Sequence, residues 1–141
     1  MGKIEAIRYH DIDCGHRVVG HATKCKHLHG HSYRYHFHCT ADQLDDLGMV
    51  IDFGVIKSTL CVWLENNFDH RMIIWNKDPL LSSLKVIVPD DVVEVPFNPT
   101  AENLAKYMVD EIGPKLLKGT GVKLQYCKVE ETRKCSASYG I

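Results

Sequence analysis

The feature that most constrains the fold is an alternation in the stretch HSYRYHFHCTA, residues 31–41. Its apolar residues at odd positions interleave with polar residues at even positions: Tyr33, Tyr35, Phe37 and Cys39 against Arg34, His36, His38 and Thr40. Because successive side chains of a β-strand point to opposite faces, we predict a strand with one apolar and one polar face. The polar face would meet solvent or a water-filled space between subunits.

Two other segments repeat their apolar residues with helical spacing. The first follows Asp52, a residue suited to an N-cap. Its predicted buried stripe comprises Phe53, Ile56, Leu60, Trp63, Leu64 and Phe68. The second follows Thr100 as a possible cap, carries Glu102 in its first turn and is predicted to end at Gly113-Pro114. Its stripe comprises Leu104, Ala105, Met108 and Ile112.

Strands are predicted before, between and after these helices. Residues 4–12 predict a first strand leading to His16, and residues 85–95 predict two short strands broken at Pro89-Asp90-Asp91. Residues 121–132 predict a last strand, in which the apolar parity slips at Cys127 and indicates a bulge or an edge. This order predicts a single α+β domain over residues 1–141, with an antiparallel four-stranded sheet and both helices on one face.

The composition is that of one ordinary globular domain: 141 residues, 45% hydrophobic and 25% charged, with a formal net charge of −1. That charge argues against a nucleic-acid partner. No segment has the length and apolarity of a membrane span, and the charged N-terminal stretch has no apolar signal core. We therefore expect a cytoplasmic protein that binds neither nucleic acid nor membranes. Its cysteines would be thiols there, and they form no C-x-x-C pair.

The strongest chemical signal is the pair His29 and His31, which flank Gly30. Residues two apart in an extended segment project to the same face, so both imidazoles can reach one ion. His16, at the end of the preceding strand, is the best candidate for a third nitrogen ligand. Three histidines leave the fourth tetrahedral position open, as in a catalytic zinc site. Imidazole also binds copper, nickel and iron, so Zn²⁺ is the preferred cofactor but not the only possible one.

An H-x-H pair alone is a weak signal, because two exposed strand histidines give the same pattern. We assign His10, His36 and His38 to surface or strand-face positions and leave His21 and His27 open as loop residues. The alternative from another functional class is a histidine-rich metal-binding or trafficking protein without catalysis. Such a protein would bind several exchangeable metals per chain, whereas an enzyme would hold one zinc tightly.

Residues suited to proton transfer occur near the histidines and in two later segments. Cys25 would close the site if it bound the metal, and it would act as a base or nucleophile if it stayed free beside the cation. A loop cysteine without a role has the same spacing. Asp69-His70 can be a carboxylate–imidazole pair or a solvated turn. Glu131 is an ordinary strand-end carboxylate unless it lies in a pocket.

Several motifs together resemble the 6-pyruvoyl-tetrahydropterin synthase superfamily over nearly the whole chain. They are CGHR (14–17), CKHLHGH (25–31), GMVIDF (48–53), FDHR (68–71), NPTAENLAKYM (98–108) and VEET (129–132). The short spacing between Cys25 and the H-G-H motif, together with Asp52 in IDF, is most similar to the bacterial 6-carboxy-tetrahydropterin synthases of 7-deazaguanine (queuosine) biosynthesis. The pyruvoyl synthases, which eliminate triphosphate without cutting the side chain, remain the alternative.

The resemblance implies a function, site roles and an assembly. The substrate would be 7,8-dihydroneopterin triphosphate, converted to 6-carboxy-5,6,7,8-tetrahydropterin, acetaldehyde and triphosphate. The implied roles are zinc ligands at His16, His29 and His31, catalysis by Cys25 with Asp69 and His70, and pterin contacts from Glu131 and Thr100. The implied fold is the tunnelling fold, whose subunits join their sheets into an oligomeric barrel with active sites between subunits, commonly a homohexamer built as a dimer of trimers.

The chain departs from the usual family pattern in three places. Cys14-Gly15 precede the first zinc histidine, RMIIWN follows the Asp-His pair, and the stretch KDPLLSSLKVIVPDD, residues 77–91, is longer than in compact members. These departures concern the substrate and the loops more than the zinc ligands. Arg17, Lys24 and Lys26 are alternative candidates for binding the triphosphate.

Overall fold

The computed structural model describes residues 2–141 and contains one mixed six-stranded sheet in the order β4-β3-β1-β2-β5-β6. The strands are β1 (Ala6–His16), β2 (His29–Ala41), β3 (Met72–Trp75), β4 (Val92–Val95), β5 (Val122–Glu130) and β6 (Ser136–Gly140). The predicted α+β class is confirmed. The prediction of a four-stranded, wholly antiparallel sheet is wrong, because β3 and β6 were missed and because β3 pairs parallel with both β1 and β4.

The central pair β1–β2 is antiparallel over its full length, from Ala6 opposite Cys39 to His16 opposite His29. β2 also pairs antiparallel with β5, and the register shifts between His38 and Cys39 so that Gln125 has no direct partner. The parity slip predicted near Cys127 is therefore a β-bulge, as expected. The strand pairing places the end of β1 and the start of β2 side by side.

The stretch predicted as two strands, residues 85–95, contains only one. Its first part belongs to a short helix, Leu81–Ile87, and β4 follows after a turn at Pro89–Asp91. β3 and β4 run parallel, and parallel strands need a crossover connection. The short helix forms part of that crossover. The crossover thus overrides the β propensity of Val86 and Ile87, whose side chains are exposed.

The first long helix spans residues 53–67 as Phe53–Ile56, a π-helical segment Lys57–Cys61, and Val62–Asn67. The Asp52 carboxylate accepts a hydrogen bond from the Gly54 amide at 2.7 Å, which confirms the predicted N-cap. The predicted stripe is buried at Ile56, Leu60, Leu64 and Phe68, and Trp63 packs against the core at its edge; these side chains face the sheet. The first helical residue, Phe53, is instead 57% exposed.

The second long helix spans residues 101–116 as Ala101–Tyr107, a π-helical segment Met108–Ile112, and Gly113–Leu116. The Thr100 hydroxyl oxygen accepts from the Asn103 amide at 3.1 Å and caps the helix as predicted. The predicted end at Gly113-Pro114 is wrong. The Gly113 amide donates to the Met108 carbonyl, five residues back. The helix has therefore already changed to π-helical hydrogen bonding just before the proline, which has no N–H to donate.

Both long helices cover the apolar face of the sheet, where Tyr33, Tyr35, Phe37 and Cys39 are fully buried. The opposite face carries ion pairs from β2 to its neighbours: Arg34 with Asp11 of β1, His36 with Glu130 of β5, and His38 with Glu5, just before β1. This confirms the predicted two-sided strand. Within residues 2–141, no helix is long and apolar enough to span a membrane.

Candidate active site

The predicted metal ligands come together where β1 ends and β2 begins. His16 is the last residue of β1 and lies directly opposite His29, the first residue of β2. His31 follows two positions later on the same face. The ring centroids are 4.6 Å apart for His16–His29, 4.8 Å for His29–His31 and 5.1 Å for His16–His31. One nitrogen from each ring lies within 4.8 Å of the others.

Backbone carbonyls orient two of these rings. The His16 Nδ1–H donates to the Pro99 carbonyl at 2.6 Å, and the His29 Nδ1–H donates to the His27 carbonyl at 2.6 Å. In these tautomers both Nε2 atoms carry lone pairs, and they lie 3.1 Å apart. Two nitrogen ligands of one tetrahedral zinc ion are separated by about 3.3 Å for Zn–N bonds of about 2.0–2.1 Å. The pair is therefore arranged as ligands of a single ion.

The third ring has an unsatisfied nitrogen. His31 Nε2 is buried and has no hydrogen-bond partner within residues 2–141. Buried polar atoms normally have a partner, so this atom indicates that a bound species completes the cluster. The residues present thus fit a metal ion bound by three imidazoles, and soft sulfur is not among the clustered donors.

Burial favours the neutral, metal-binding form of His16 and His31. Burial lowers the pKa of His16 to about 4, which its bond to the Pro99 carbonyl opposes and the neighbouring His29 and His31 reinforce. The pKa of His31 is also lowered, chiefly by burial and then by His29. Neutral imidazole is the form that binds metals.

Two glycines permit the close approach of the strands at this point. Gly15 and Gly30 are opposite each other in the β1–β2 ladder. A Cβ on Gly30 would lie 3.3 Å from the Cys14 carbonyl oxygen, and a Cβ on Gly15 would lie 3.1 Å from the His29 carbonyl oxygen. A side chain at either position would therefore crowd the backbone of the facing strand.

The Cys25 sulfur is not part of the three-histidine cluster. Cys25 occupies a short 3₁₀ turn, Lys24–Lys26, and is half-buried. Four other cysteines are core residues whose thiols stay protonated: burial raises the pKa of Cys14 and Cys39 to about 12, that of Cys61 to about 11 and that of Cys127 further. Cys135 is exposed.

Glu131 lies beside the histidines, just past the end of β5. Its carboxylate oxygens are 3.9 Å from His16 Nε2 and 3.8 Å from His31 Nε2. Burial raises the pKa of Glu131, and the nearby Glu102 raises it further, while His29 lowers it. A small pocket of about 210 Å³ is lined by Ala101, Glu102, Glu131, Cys135, Ser136 and Ala137.

The buried ring of Tyr33 packs against two of the three clustered histidines. It contacts His16 and His31 edge to face, at centroid distances of 5.8 Å and 5.4 Å. The pKa of Tyr33 is raised, chiefly by burial, then by Cys14, Glu131 and Cys25.

Asp69 and His70 form a separate group in the loop before β3. The Asp69 carboxylate accepts from the Asp13 amide at 3.0 Å, and its other oxygen lies 3.0 Å from His70 Nδ1. Burial acts to raise the pKa of Asp69, but the Asp13 amide and His70 lower it below its ordinary value. His70 is 77% exposed and has a left-handed backbone with φ of 59°. This pair does not join the three-histidine cluster within one chain.

The segment before the second long helix supports the site in ways that the sequence did not predict. Asn98 accepts from the Val19 amide and donates to the Val19 carbonyl, both at 3.0 Å. Pro99 provides the carbonyl that orients His16. The only sequence signal for Asn98 and Pro99 was their position in the motif NPTAENLAKYM.

The remaining histidines and basic residues lie outside the cluster, and most of them have a partner elsewhere. His10 lies 3.0 Å from Glu65, and the polar strand face accounts for His36 and His38. The His21 ring accepts from the Thr23 amide, and His27 contributes only its carbonyl to the cluster. Arg17 is paired with Asp78, while Lys24 and Lys26 are exposed.

Comparison with known proteins gives a consistent match over the chain. The sequence profile of the family described as "6-pyruvoyl tetrahydropterin synthase" matches residues 6–140. The chain is 38% identical over 133 residues to proteins named 6-carboxy-5,6,7,8-tetrahydropterin synthase from Rickettsia felis and Rickettsia typhi. Both alignments cover 94% of this chain and 96% of the relative.

Solved structures share the fold. An uncharacterized protein from Wolinella succinogenes has a TM-score of 0.84 at 22% identity, with 99% of each chain covered. The 6-pyruvoyl tetrahydropterin synthase of Caenorhabditis elegans has a TM-score of 0.70 at 22% identity, covering 99% of this chain and 96% of that one.

Proposed function

The chain belongs to the 6-pyruvoyl tetrahydropterin synthase family, and we propose that it is a zinc-dependent 6-carboxy-5,6,7,8-tetrahydropterin synthase. It would convert 7,8-dihydroneopterin triphosphate and one water molecule to 6-carboxytetrahydropterin, acetaldehyde and triphosphate, a lyase step in 7-deazaguanine (queuosine) biosynthesis. The name of the Rickettsia relatives supports this product over the pyruvoyl alternative.

The observation that carries the proposal is the three-histidine cluster from which Cys25 is absent. A site closed by a fourth protein ligand would be structural, whereas three imidazoles leave a coordination position for substrate oxygen. His16, His29 and His31 would hold the ion, and a bound Zn²⁺ supplies Lewis acidity beside the hydroxyls of the substrate side chain.

Cys25 would abstract a carbon-bound proton from the substrate side chain as a thiolate. Asp69 would orient His70 and stabilise its protonated form, as carboxylates do for catalytic imidazoles. The left-handed backbone of His70 supports this role, because strained residues concentrate at functional sites. The same residues would serve the pyruvoyl reaction, so they define the chemistry of proton transfer and not the final product.

Glu131 would anchor the pterin ring, since a carboxylate can accept hydrogen bonds from the ring N–H and amino groups. Its position within 4 Å of two cluster nitrogens would set the pterin next to the ion. Thr100 is proposed as a further pterin contact. Its hydroxyl oxygen already accepts the helix-capping bond from the Asn103 amide, so the hydroxyl would donate its hydrogen to the pterin.

The proposed assembly is a cytoplasmic homohexamer with active sites between subunits. One chain keeps the Asp69–His70 pair apart from the histidine cluster, which supports a site that is completed by a neighbouring subunit. The polar face of the sheet, with its Arg34–Asp11 and His36–Glu130 pairs, would then line the interior of the barrel.

Product analysis tests the proposal. Purified protein incubated with 7,8-dihydroneopterin triphosphate should release acetaldehyde and triphosphate in equal amounts, and a Cys25→Ala variant should release neither at a comparable rate. Triphosphate with a diketone pterin and no acetaldehyde would instead establish the pyruvoyl reaction. Absence of both products, with several exchangeable metals per chain, would favour a non-catalytic metal-binding protein.

A further inference from the structure

A buried carboxylate lies behind the turn that carries Cys25. Asp78, in the loop after β3, is 5% exposed. Its Oδ1 accepts from the Leu80 amide at 2.8 Å, and its Oδ2 accepts from Arg17 Nε at 2.7 Å. A buried ionised group is costly unless it is paired, and these two donors provide the pairing.

Arg17 connects this carboxylate to the cysteine turn. It directly follows the candidate ligand His16, and its Nη1 donates to the Lys26 carbonyl at 3.0 Å. The adjacent Val18 amide donates to the Cys25 carbonyl at 2.7 Å. The carbonyls of Cys25 and Lys26 are therefore both bound by the segment that leaves the histidine cluster.

We propose that Arg17 and Asp78 are positioning residues that hold the Cys25 turn at a fixed place beside the three-histidine cluster. The planar guanidinium suits this task, because one group bonds the carboxylate and the carbonyl at a defined angle. This inference rests on the catalytic role proposed for Cys25, since the value of a fixed turn lies in the position of its sulfur. A misplacement of about 1 Å can reduce a rate by about 10²-fold.

The same geometry explains two features of the sequence. Arg17 was one candidate for binding the triphosphate, but its charge is already matched by a buried aspartate. The stretch of residues 77–91, longer than in compact family members, begins with the loop that contains Asp78. We assign to this loop the support of the cysteine turn, in addition to its role in the β3–β4 crossover.

Two variants separate positioning from stability. Arg17→Met removes the donor to Lys26 and leaves the Asp78 charge buried and unpaired, so it should lower the melting temperature. The double variant Arg17→Met/Asp78→Asn removes that charge, while the introduced amide oxygen can still accept from the Leu80 amide. Its melting temperature should return toward that of the wild type. Glu94→Gln, which breaks the exposed Lys85–Glu94 pair, is the control.

The measurement is the rate at which iodoacetamide alkylates Cys25 in the zinc-loaded protein, followed by mass spectrometry. The exposed Cys135 serves as the internal reference. Both Arg17 variants should raise the Cys25:Cys135 rate ratio by roughly 3- to 10-fold, the effect of losing one hydrogen bond of ordinary strength. The value of kcat should fall more than KM rises, and zinc content should remain one per chain. Glu94→Gln should change none of these quantities.

Two outcomes would overturn the proposal. An unchanged rate ratio in both variants would show that other contacts hold the turn. If the alkylation ratio and the melting temperature of the double variant both returned to their wild-type values, the ratio would report stability alone. Neither outcome depends on the product: a wild type that releases neither acetaldehyde nor triphosphate refutes the proposed function, while the alkylation ratios still test the turn.

Discussion

Residues of the candidate site differ in how firmly the surrounding structure holds them. His16 is 1% exposed and bonded to the Pro99 carbonyl, whereas His70 is an exposed side chain in a loop. Catalytic groups must be held in a productive geometry, and a ring as exposed as His70 gains that geometry when another surface covers it. The three candidate metal ligands are thus brought together within one chain, whereas the His70 of the proposed proton-transfer pair stays exposed.

Cys25→Ala should retain zinc and lose about 10²-fold or more in kcat, the usual contribution of a general base. The reason is that the sulfur lies outside the cluster of ligand nitrogens. Steady-state kinetics and metal analysis on the same sample measure both quantities, and Glu94→Gln, which breaks the exposed Lys85–Glu94 pair outside the site, is the control. Full activity in Cys25→Ala would remove Cys25 from the mechanism.

Asp69→Asn tests how much the ionised carboxylate of the Asp69–His70 pair contributes to stability. The folded state lowers the pKa of Asp69, so its ionised form contributes stability above the ordinary pKa of an aspartate, and this contribution is lost as the pH falls through the lowered pKa. The variant should be less stable by about 1 kcal/mol at neutral pH, with a difference that disappears in acid. Urea unfolding at a series of pH values measures it; a difference that persists in strong acid contradicts this origin.

At the scale of secondary-structure elements, two central strands and two capped helices determine the site. The alternation from Tyr33 to Cys39 predicted β2, and the caps Asp52 and Thr100 predicted both helix starts, because these are local signals. β3 was missed because a strand of four residues is too short to show an alternation of apolar and polar side chains. The short helix before β4 was missed because the parallel pairing, a non-local contact, overrides local propensity.

Thr100→Ala should lower the free energy of unfolding by about 1 kcal/mol, because the second long helix loses the acceptor for its Asn103 amide. Thr100→Ser keeps a hydroxyl and should restore most of that loss. Chemical denaturation of the three proteins measures the effect. Equal stability of the alanine and serine variants would show that the capping bond contributes nothing to folding.

The candidate site follows the same division between local and non-local information. His29 and His31 were predictable because strand geometry alone places them together, and His16 because it ends the preceding strand. The supporting contacts of Asn98, Pro99 and Asp78 join segments more than sixty residues apart, as in the Arg17–Asp78 bond with a separation of 61 residues. No periodicity or spacing in the sequence encodes such contacts.

At the scale of the whole molecule, one chain places the three candidate metal ligands and the Asp69–His70 pair in two separate groups. The proposed assembly would bring the Asp69–His70 pair of one subunit to the Cys25 of another. In a symmetric oligomer all copies of one type of interface are equivalent, so each site would be completed in the same way. The prediction can be tested without a structure of the assembly.

Co-expressed Cys25→Ala and His70→Asn chains should recover activity that each variant lacks alone. With random mixing, about one quarter of the sites would combine an intact Cys25 with an intact His70 from the neighbouring chain. Asparagine is chosen because it tolerates the left-handed backbone at this position. Mixing Cys25→Ala with a chain that carries both substitutions is the control and should remain inactive. No recovery in the first mixture would show that one chain supplies both groups.

The central claim is that three imidazoles bind one zinc ion and leave the Cys25 sulfur unligated. X-ray absorption spectroscopy at the zinc edge of the purified protein measures the ligand atoms and their distances directly. The predicted spectrum contains nitrogen and oxygen neighbours at about 2.0–2.1 Å and no sulfur. A zinc–sulfur distance of about 2.3 Å would contradict the account, because the ion would then be closed by the thiol that is assigned to catalysis.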